Sequence, residues 1–129
     1  MLELLAPRPG DLVLDVGSGS GWTTALLAHL VGPKGRVFAV ERIPELCAFG
    51  QANVGKYGYA NITMTCGDGS RGLPQRAPFN RIHVAAAAPE VPHALLDQLA
   101  VGGRMVIPTR ADDLRLVVRK GKDRYDVKV

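Results

Sequence analysis

Apolar residues in this chain fall into short runs bounded by glycine, proline and charged residues, and these runs alternate with longer segments of mixed character. Leu12–Val16, Arg36–Glu41, Asn61–Cys66 and Arg81–Ala86 are short and rich in Val, Ile, Thr or Ala. That pattern predicts buried strands. Between them, Thr23–Val31 is apolar enough to pack on a sheet as a helix. Pro44–Tyr57 predicts a second helix with Pro44 in its first turn, and Pro92–Leu99 a third, with Gly102-Gly103 as its stop signal. Met1–Leu5 reads as the end of a helix entering the first strand. After Gly103 another strand follows, and then Leu114–Arg119 and Arg124–Val129 form a hairpin with Gly121 at its turn. Strands alternating with helices imply a mostly parallel, doubly wound α/β sheet. The hairpin would add an antiparallel margin. There is no internal repeat and no linker long enough to split residues 1–129 into two domains.

Composition agrees with a folded domain. The chain has 129 residues, enough to bury a core, and 47% of them are hydrophobic, which excludes global disorder. No apolar run reaches membrane-spanning length, and no charged-then-apolar leader is visible, so no membrane partner is expected. Cys47 and Cys66 match neither a metal-ligand spacing nor a disulfide framework. The expectation is two packed thiols, no metal, and a reducing cytoplasm.

Charge is unevenly distributed. Residues 1–103 balance eight basic against eight acidic side chains, whereas residues 104–129 hold eight basic and four acidic, so the whole net charge of +4 lies in the tail. The Arg119-Lys-Gly-Lys122 cluster has the charge to touch nucleic acid. No aromatic residues interleave with it, and lysines on an exposed sheet edge discourage edge pairing, so the reading is a solvated hairpin without a nucleic-acid partner.

The chemistry concentrates at strand ends. Leu12-Val-Leu-Asp-Val-Gly-Ser-Gly-Ser-Gly21 runs from a strand through three glycines into an apolar helix. Such a turn lets backbone approach a ligand, and the helix behind it aims free N–H groups at the same place. The third glycine of a dinucleotide fingerprint would fall on Trp22, and no phosphate loop ending in Gly-Lys-Ser/Thr is present. Gly17-x-Gly19-x-Gly21 after Asp15 instead resembles motif I of the S-adenosylmethionine-dependent methyltransferases. Glu41 ends the second strand about 20 residues past the turn, where a Rossmann unit places the acid that binds ribose hydroxyls. Asp68, flanked by Gly67 and Gly69 after the third strand, is placed to accept from an adenine amino group. His83 and His93 read as structural, and His29 as a helix-end or solvent-facing residue.

Further segments narrow the resemblance. Val40-Glu-Arg-Ile-Pro-Glu-Leu46, Gly67-Asp-Gly69, Ile82-His-Val-Ala-Ala-Ala-Ala-Pro-Glu-Val-Pro92 and Leu96–Pro108 resemble the protein-L-isoaspartate O-methyltransferase family. The resemblance runs from the start of the chain to Pro108 and becomes vague after that. It implies a Rossmann-like class I methyltransferase fold with S-adenosylmethionine as methyl donor and no metal. It assigns the donor site to Asp15, Gly17, Ser18, Gly19, Gly21, Glu41, Arg42, Asp68 and Gly69. Ala86, Ala87, Ala88 and Pro89 would lie against an isoaspartyl peptide. In the family, a catalytic serine lies in a segment before motif I, and a further strand closes over the donor from the C-terminal side. Neither is found in this sequence, so it reads as the family's central core with no catalytic residue assignable. A monomer is implied for the complete family, and bare core surface here would favour dimerisation.

The implied reaction needs little side-chain chemistry. An isoaspartyl α-carboxyl has a pKa of roughly 3.5 and is ionised at neutral pH. It can attack a sulfonium methyl without a strong base, so catalysis would rest on alignment and exclusion of water. Two other functions fit the same motifs: methylation of a tRNA base, and a non-catalytic remnant that only binds the donor. The Ala-Ala-Ala-Pro loop argues against the first.

Overall fold

The computed structural model describes residues 2–85, 90–109 and 113–128. Among the described residues the α-helices and strands follow one another as α1 (Leu2–Leu5), β1 (Leu12–Val16), α2 (Trp22–Val31), β2 (Arg36–Glu41), α3 (Pro44–Tyr57), β3 (Ile62–Cys66), β4 (Phe79–Val84), α4 (His93–Gln98), β5 (Leu99–Pro108), β6 (Leu114–Gly121) and β7 (Arg124–Lys128), with two short 3-10 turns between β3 and β4. They build one seven-stranded sheet in the order β3-β2-β1-β4-β5-β6-β7. The first five strands pair in parallel, and β6 and β7 add antiparallel to their neighbours. This is the doubly wound sheet with an antiparallel hairpin that the alternating pattern predicts. Among the described residues, no helix is long and apolar enough to cross a membrane.

Side-chain alternation along the strands divides the core between the two faces. Leu14, Val16, Ile82, Val84 and Ile107 point to one face, where α4 contributes Leu95. Val13, Val37 and Val106 point to the other, under Leu27, Ala28 and Val31 of α2. The same period of two puts Asp15 on the α2 face, beside Val13. The parallel register aligns Asp15 with His83 on β4, so the two polar side chains are neighbours inside the sheet.

Three expectations fail. Gly102 and Gly103 do not end a helix: α4 stops at Gln98, and β5 starts at Leu99 and runs through both glycines. The pairing with β4 explains them, because it jumps from Phe79↔Leu99 to Arg81↔Arg104 and leaves extra residues bulged out of β5. Gly121 is the last residue of β6, opposite Arg124, and Lys122-Asp123 form the turn.

The cysteines are the third. Cys47 and Cys66 are disulfide-bonded, with Cα atoms 5.7 Å apart. A parallel β-α-β unit returns the start of α3 to the C-terminal end of β3, a proximity that a spacing of 19 residues does not reveal. The argument from free thiols to a reducing compartment therefore falls. Cross-linking a loop of this length stabilises a fold by about 3 kcal/mol in the chain-entropy model. Reduction, or Cys66→Ser, should lower the urea midpoint accordingly; equal midpoints with and without reductant would show that the two thiols are not paired in solution.

Candidate functional site

A cleft of about 640 Å³ opens at the C-terminal ends of β1, β2 and β4, where open α/β sheets bind ligands. Gly17 and Gly19 form one wall, Glu41, Arg42, Ile43 and Leu46 the second, and Asp68, Gly69 and Ser70 the third, with Leu95 and Ile107 below. The cleft lining is mostly apolar with a few polar groups, the composition of small-molecule sites in general.

The glycine turn is shaped by its neighbours. Gly17 N–H donates to Val40 O at 2.8 Å, tying the turn to β2. Gly21 adopts φ +87°, and a Cβ there would meet Val54 Cγ2 at 2.8 Å and Gly50 O at 3.0 Å. Gly19 has φ +54°, and a Cβ built on it meets nothing within 4 Å, so this glycine keeps open the side of the turn that lines the cleft. Gly50, in the middle of α3, was not singled out by sequence reasoning. A Cβ at that position would lie 2.5 Å from Gly19 O and 2.6 Å from Met64 Cε. A glycine inside an otherwise good helix was the available signal.

Glu41 fastens the turn to the next loop. It is only 6% exposed. Its Oε1 accepts from Gly19 N–H at 2.7 Å and its Oε2 from Ile43 N–H at 3.1 Å. A carboxylate offers about four lone-pair sites, so each oxygen keeps one for a ligand. Asp68 behaves similarly at the third wall. Its Oδ1 accepts from Ser70 N–H at 2.9 Å. That bond, then the Ser70 hydroxyl, hold the carboxyl below its ordinary value, with Arg71 and Arg42 adding and slight desolvation opposing. Asp68 therefore stays an ionised acceptor to lower pH than an aspartate without these partners.

Asp15 is placed differently. It is fully buried on the α2 face. Its Oδ2 accepts from Thr24 Oγ1 at 2.6 Å and its Oδ1 pairs with His83 Nδ1 at 2.8 Å. It lies behind the cleft and holds β1, β4 and α2 together. His83, read from the sequence as structural, is buried with Asp15 as its partner. Ser18 is buried inside the turn, and its hydroxyl has no hydrogen-bond partner among the described residues. Trp22 is exposed and packs edge-on to Tyr57, 6.2 Å between centroids, on α3. His29 faces solvent and meets the Tyr59 hydroxyl at 3.2 Å. Ala86, Ala87, Ala88 and Pro89 lie outside the described residues. Among the described residues, no group of three or more His, Cys, Asp or Glu is arranged to hold a metal.

The family model for protein-L-isoaspartate(D-aspartate) O-methyltransferase matches residues 1–129, the whole chain. The chain belongs to the protein-L-isoaspartate(D-aspartate) O-methyltransferase family. It is 58% identical over 118 residues to the protein-L-isoaspartate O-methyltransferase of Aeropyrum pernix, covering 91% of this chain and 45% of that one. With the Staphylothermus marinus enzyme it shares 46% identity, over 99% of this chain and 61% of the relative. A solved protein-L-isoaspartate O-methyltransferase superposes with TM-score 0.86 at 31% identity, covering 99% of this chain and 42% of its own. A Plasmodium falciparum protein in complex with S-adenosyl-L-homocysteine superposes with TM-score 0.81 at 26% identity, covering 98% and 65%. The chain spans about half the length of the curated relatives it matches. What it shares with these solved relatives is the fold of nearly its whole length.

Proposed function

We propose that this chain supplies the donor site of a protein-L-isoaspartate O-methyltransferase, binding S-adenosylmethionine for transfer to the α-carboxylate of isoaspartyl residues in damaged proteins. One observation carries the reading: the carboxylate of Glu41, at the end of β2, accepts from Gly19 N–H and Ile43 N–H in the wall of a cleft whose other walls are the glycine turn and Asp68. A ligand with ribose hydroxyls on the spare lone pairs of Glu41 fits these walls. An adenine would lie between Ile43 and Leu46 with its amino group toward Asp68.

In this reading Gly17, Ser18, Gly19 and Gly21 cradle the donor, while Arg42 and Gly69 complete the rim. Asp15 acts from behind, by fixing the strand end from which the turn springs. The donor, when bound, supplies an electrophilic methyl on a sulfonium sulfur. The chain contributes position: three rigid strand ends hold the ligand, and the apolar walls exclude water from it. No side chain of the cleft is needed as a base, because the acceptor carboxylate is already ionised.

A calorimetric titration with S-adenosylhomocysteine, with NAD as control, tests the site. Selective one-to-one binding of S-adenosylhomocysteine is expected. A folded chain that binds neither ligand would sink the proposal. Binding without methyl transfer to an isoaspartyl peptide would leave a donor-binding module without the repair activity.

A further inference from the structure

A second cleft lies at the opposite end of the strands, where β1, β4 and β5 begin and β6 ends. It encloses about 490 Å³. Arg8, Arg81, Arg104, Arg119 and Lys120 line it, against one carboxylate, Asp11, among the described residues. Edge protection does not account for this charge. Arg81 and Arg104 stand on β4 and β5, interior strands of the sheet, whereas its edges are β3 and β7.

The guanidiniums are only partly used. Arg81 is buried, and donates from Nε to Ala6 O at 3.2 Å and from Nη1 to Asn80 O at 2.9 Å. Arg104 donates from Nη1 to Leu4 O at 3.2 Å. The bonds to Ala6 O and Leu4 O tie down the end of α1, yet a guanidinium has five N–H donors. Asp11 offers little neutralisation: its Oδ2 accepts from Arg8 N–H at 2.8 Å and lies 3.8 Å from Arg81 Nε. Burial pulls Arg81 below its ordinary value; Asp11 opposes this, and the nearby charges of Arg104 and Arg8 lower it further. Arg119 differs, because Nε, Nη1 and Nη2 all donate to backbone carbonyls, of Gly121, Leu99 and Lys122. It fixes the hairpin, while Arg8, Arg81 and Arg104 share the cleft as mutually repelling cations.

We propose that this cleft is a binding site for a small, multiply charged oxyanion of the phosphate class, separate from the candidate donor site at the other end of the strands. Planar guanidiniums match phosphate oxygens in paired hydrogen bonds, and an anion would relieve the repulsion among the three arginines. The volume accommodates a phosphorylated small molecule rather than a single ion. The Asn80 side chain closes the floor, where its Oδ1 accepts from Leu12 N–H at 2.8 Å.

Pyrophosphate is the probe, titrated calorimetrically into the chain at constant ionic strength. Saturable binding is expected, weakened at least about tenfold in Arg8→Gln/Arg104→Gln. If that variant does not fold, Asn80→Asp serves instead: it retains the acceptor for Leu12 N–H, places a negative charge in the cleft, and should weaken binding similarly. Both variants should bind S-adenosylhomocysteine as the unaltered chain does, which keeps the two sites distinct. No saturable binding up to about 10 mM pyrophosphate, or equal binding by either folded variant, would overturn the proposal. Displacement of pyrophosphate by a short oligonucleotide at far lower phosphate concentration would overturn it too, and assign the cleft to nucleic acid.

Discussion

Asp15→Ala is expected to cost the chain about 3 kcal/mol of stability or more, the largest effect of any single substitution at the candidate site. The carboxylate is fully buried, and both its oxygens are engaged, by Thr24 Oγ1 and His83 Nδ1. Alanine leaves a buried hydroxyl and a buried imidazole without their acceptor, and opens a small void between β1 and α2. His83→Leu should be milder, because leucine fills the volume, although it leaves Asp15 with Thr24 as its one described partner. Asp15→Ala/His83→Leu should then cost less than the sum of the two, since removing both members of a pair avoids stranding either. Urea unfolding of the four proteins checks this; strictly additive losses would show that the pair contributes nothing as a pair. The expectation also separates two roles for the acid of the glycine motif. A direct ligand contact predicts lost binding at unchanged stability, whereas the observed geometry predicts lost stability first.

That distinction was not visible in the sequence. The strand, the turn and the helix of residues 12–31 were legible because their signals are local: an apolar run, glycines at alternate positions, then an apolar helix. Glu41 and Asp68 were legible as acids at strand ends for the same reason, Glu41 as the last residue of β2 and Asp68 just past β3. The Asp15–His83 pair depends instead on which strands are neighbours and in what register, 68 residues apart. The Cys47–Cys66 disulfide depends likewise on the return of a parallel crossover. Gly102 and Gly103 misled because a glycine doublet after a helix reads as a stop, and only the pairing with β4 shows that it belongs to a bulge. Ser18 was picked out by its place in the motif, but its missing partner is a property of burial, which a motif does not encode.

Glu41→Ala should weaken S-adenosylhomocysteine binding by roughly 10- to 100-fold, because it removes two effects at once. The first is the pair of acceptor sites that the proposed function assigns to ribose hydroxyls. The second is the brace: Gly19 N–H and Ile43 N–H both lose their acceptor, and the turn between them is freed. Glu41→Gln separates the effects. Its amide oxygen can still accept from one backbone N–H, but its NH₂ group faces the other donor, so the brace fails on one side while the side chain's volume stays. Glu41→Asp keeps the charge and loses a methylene, too short to reach both N–H groups. If the brace dominates, all three variants lose affinity together with thermal stability. If the ligand contact dominates, Glu41→Asp retains more affinity than Glu41→Gln at comparable melting temperature. Unchanged affinity in Glu41→Ala would remove Glu41 from the donor site and leave it as a strut of the loop, since a residue that contributes acceptors to a ligand cannot be deleted without a change in binding.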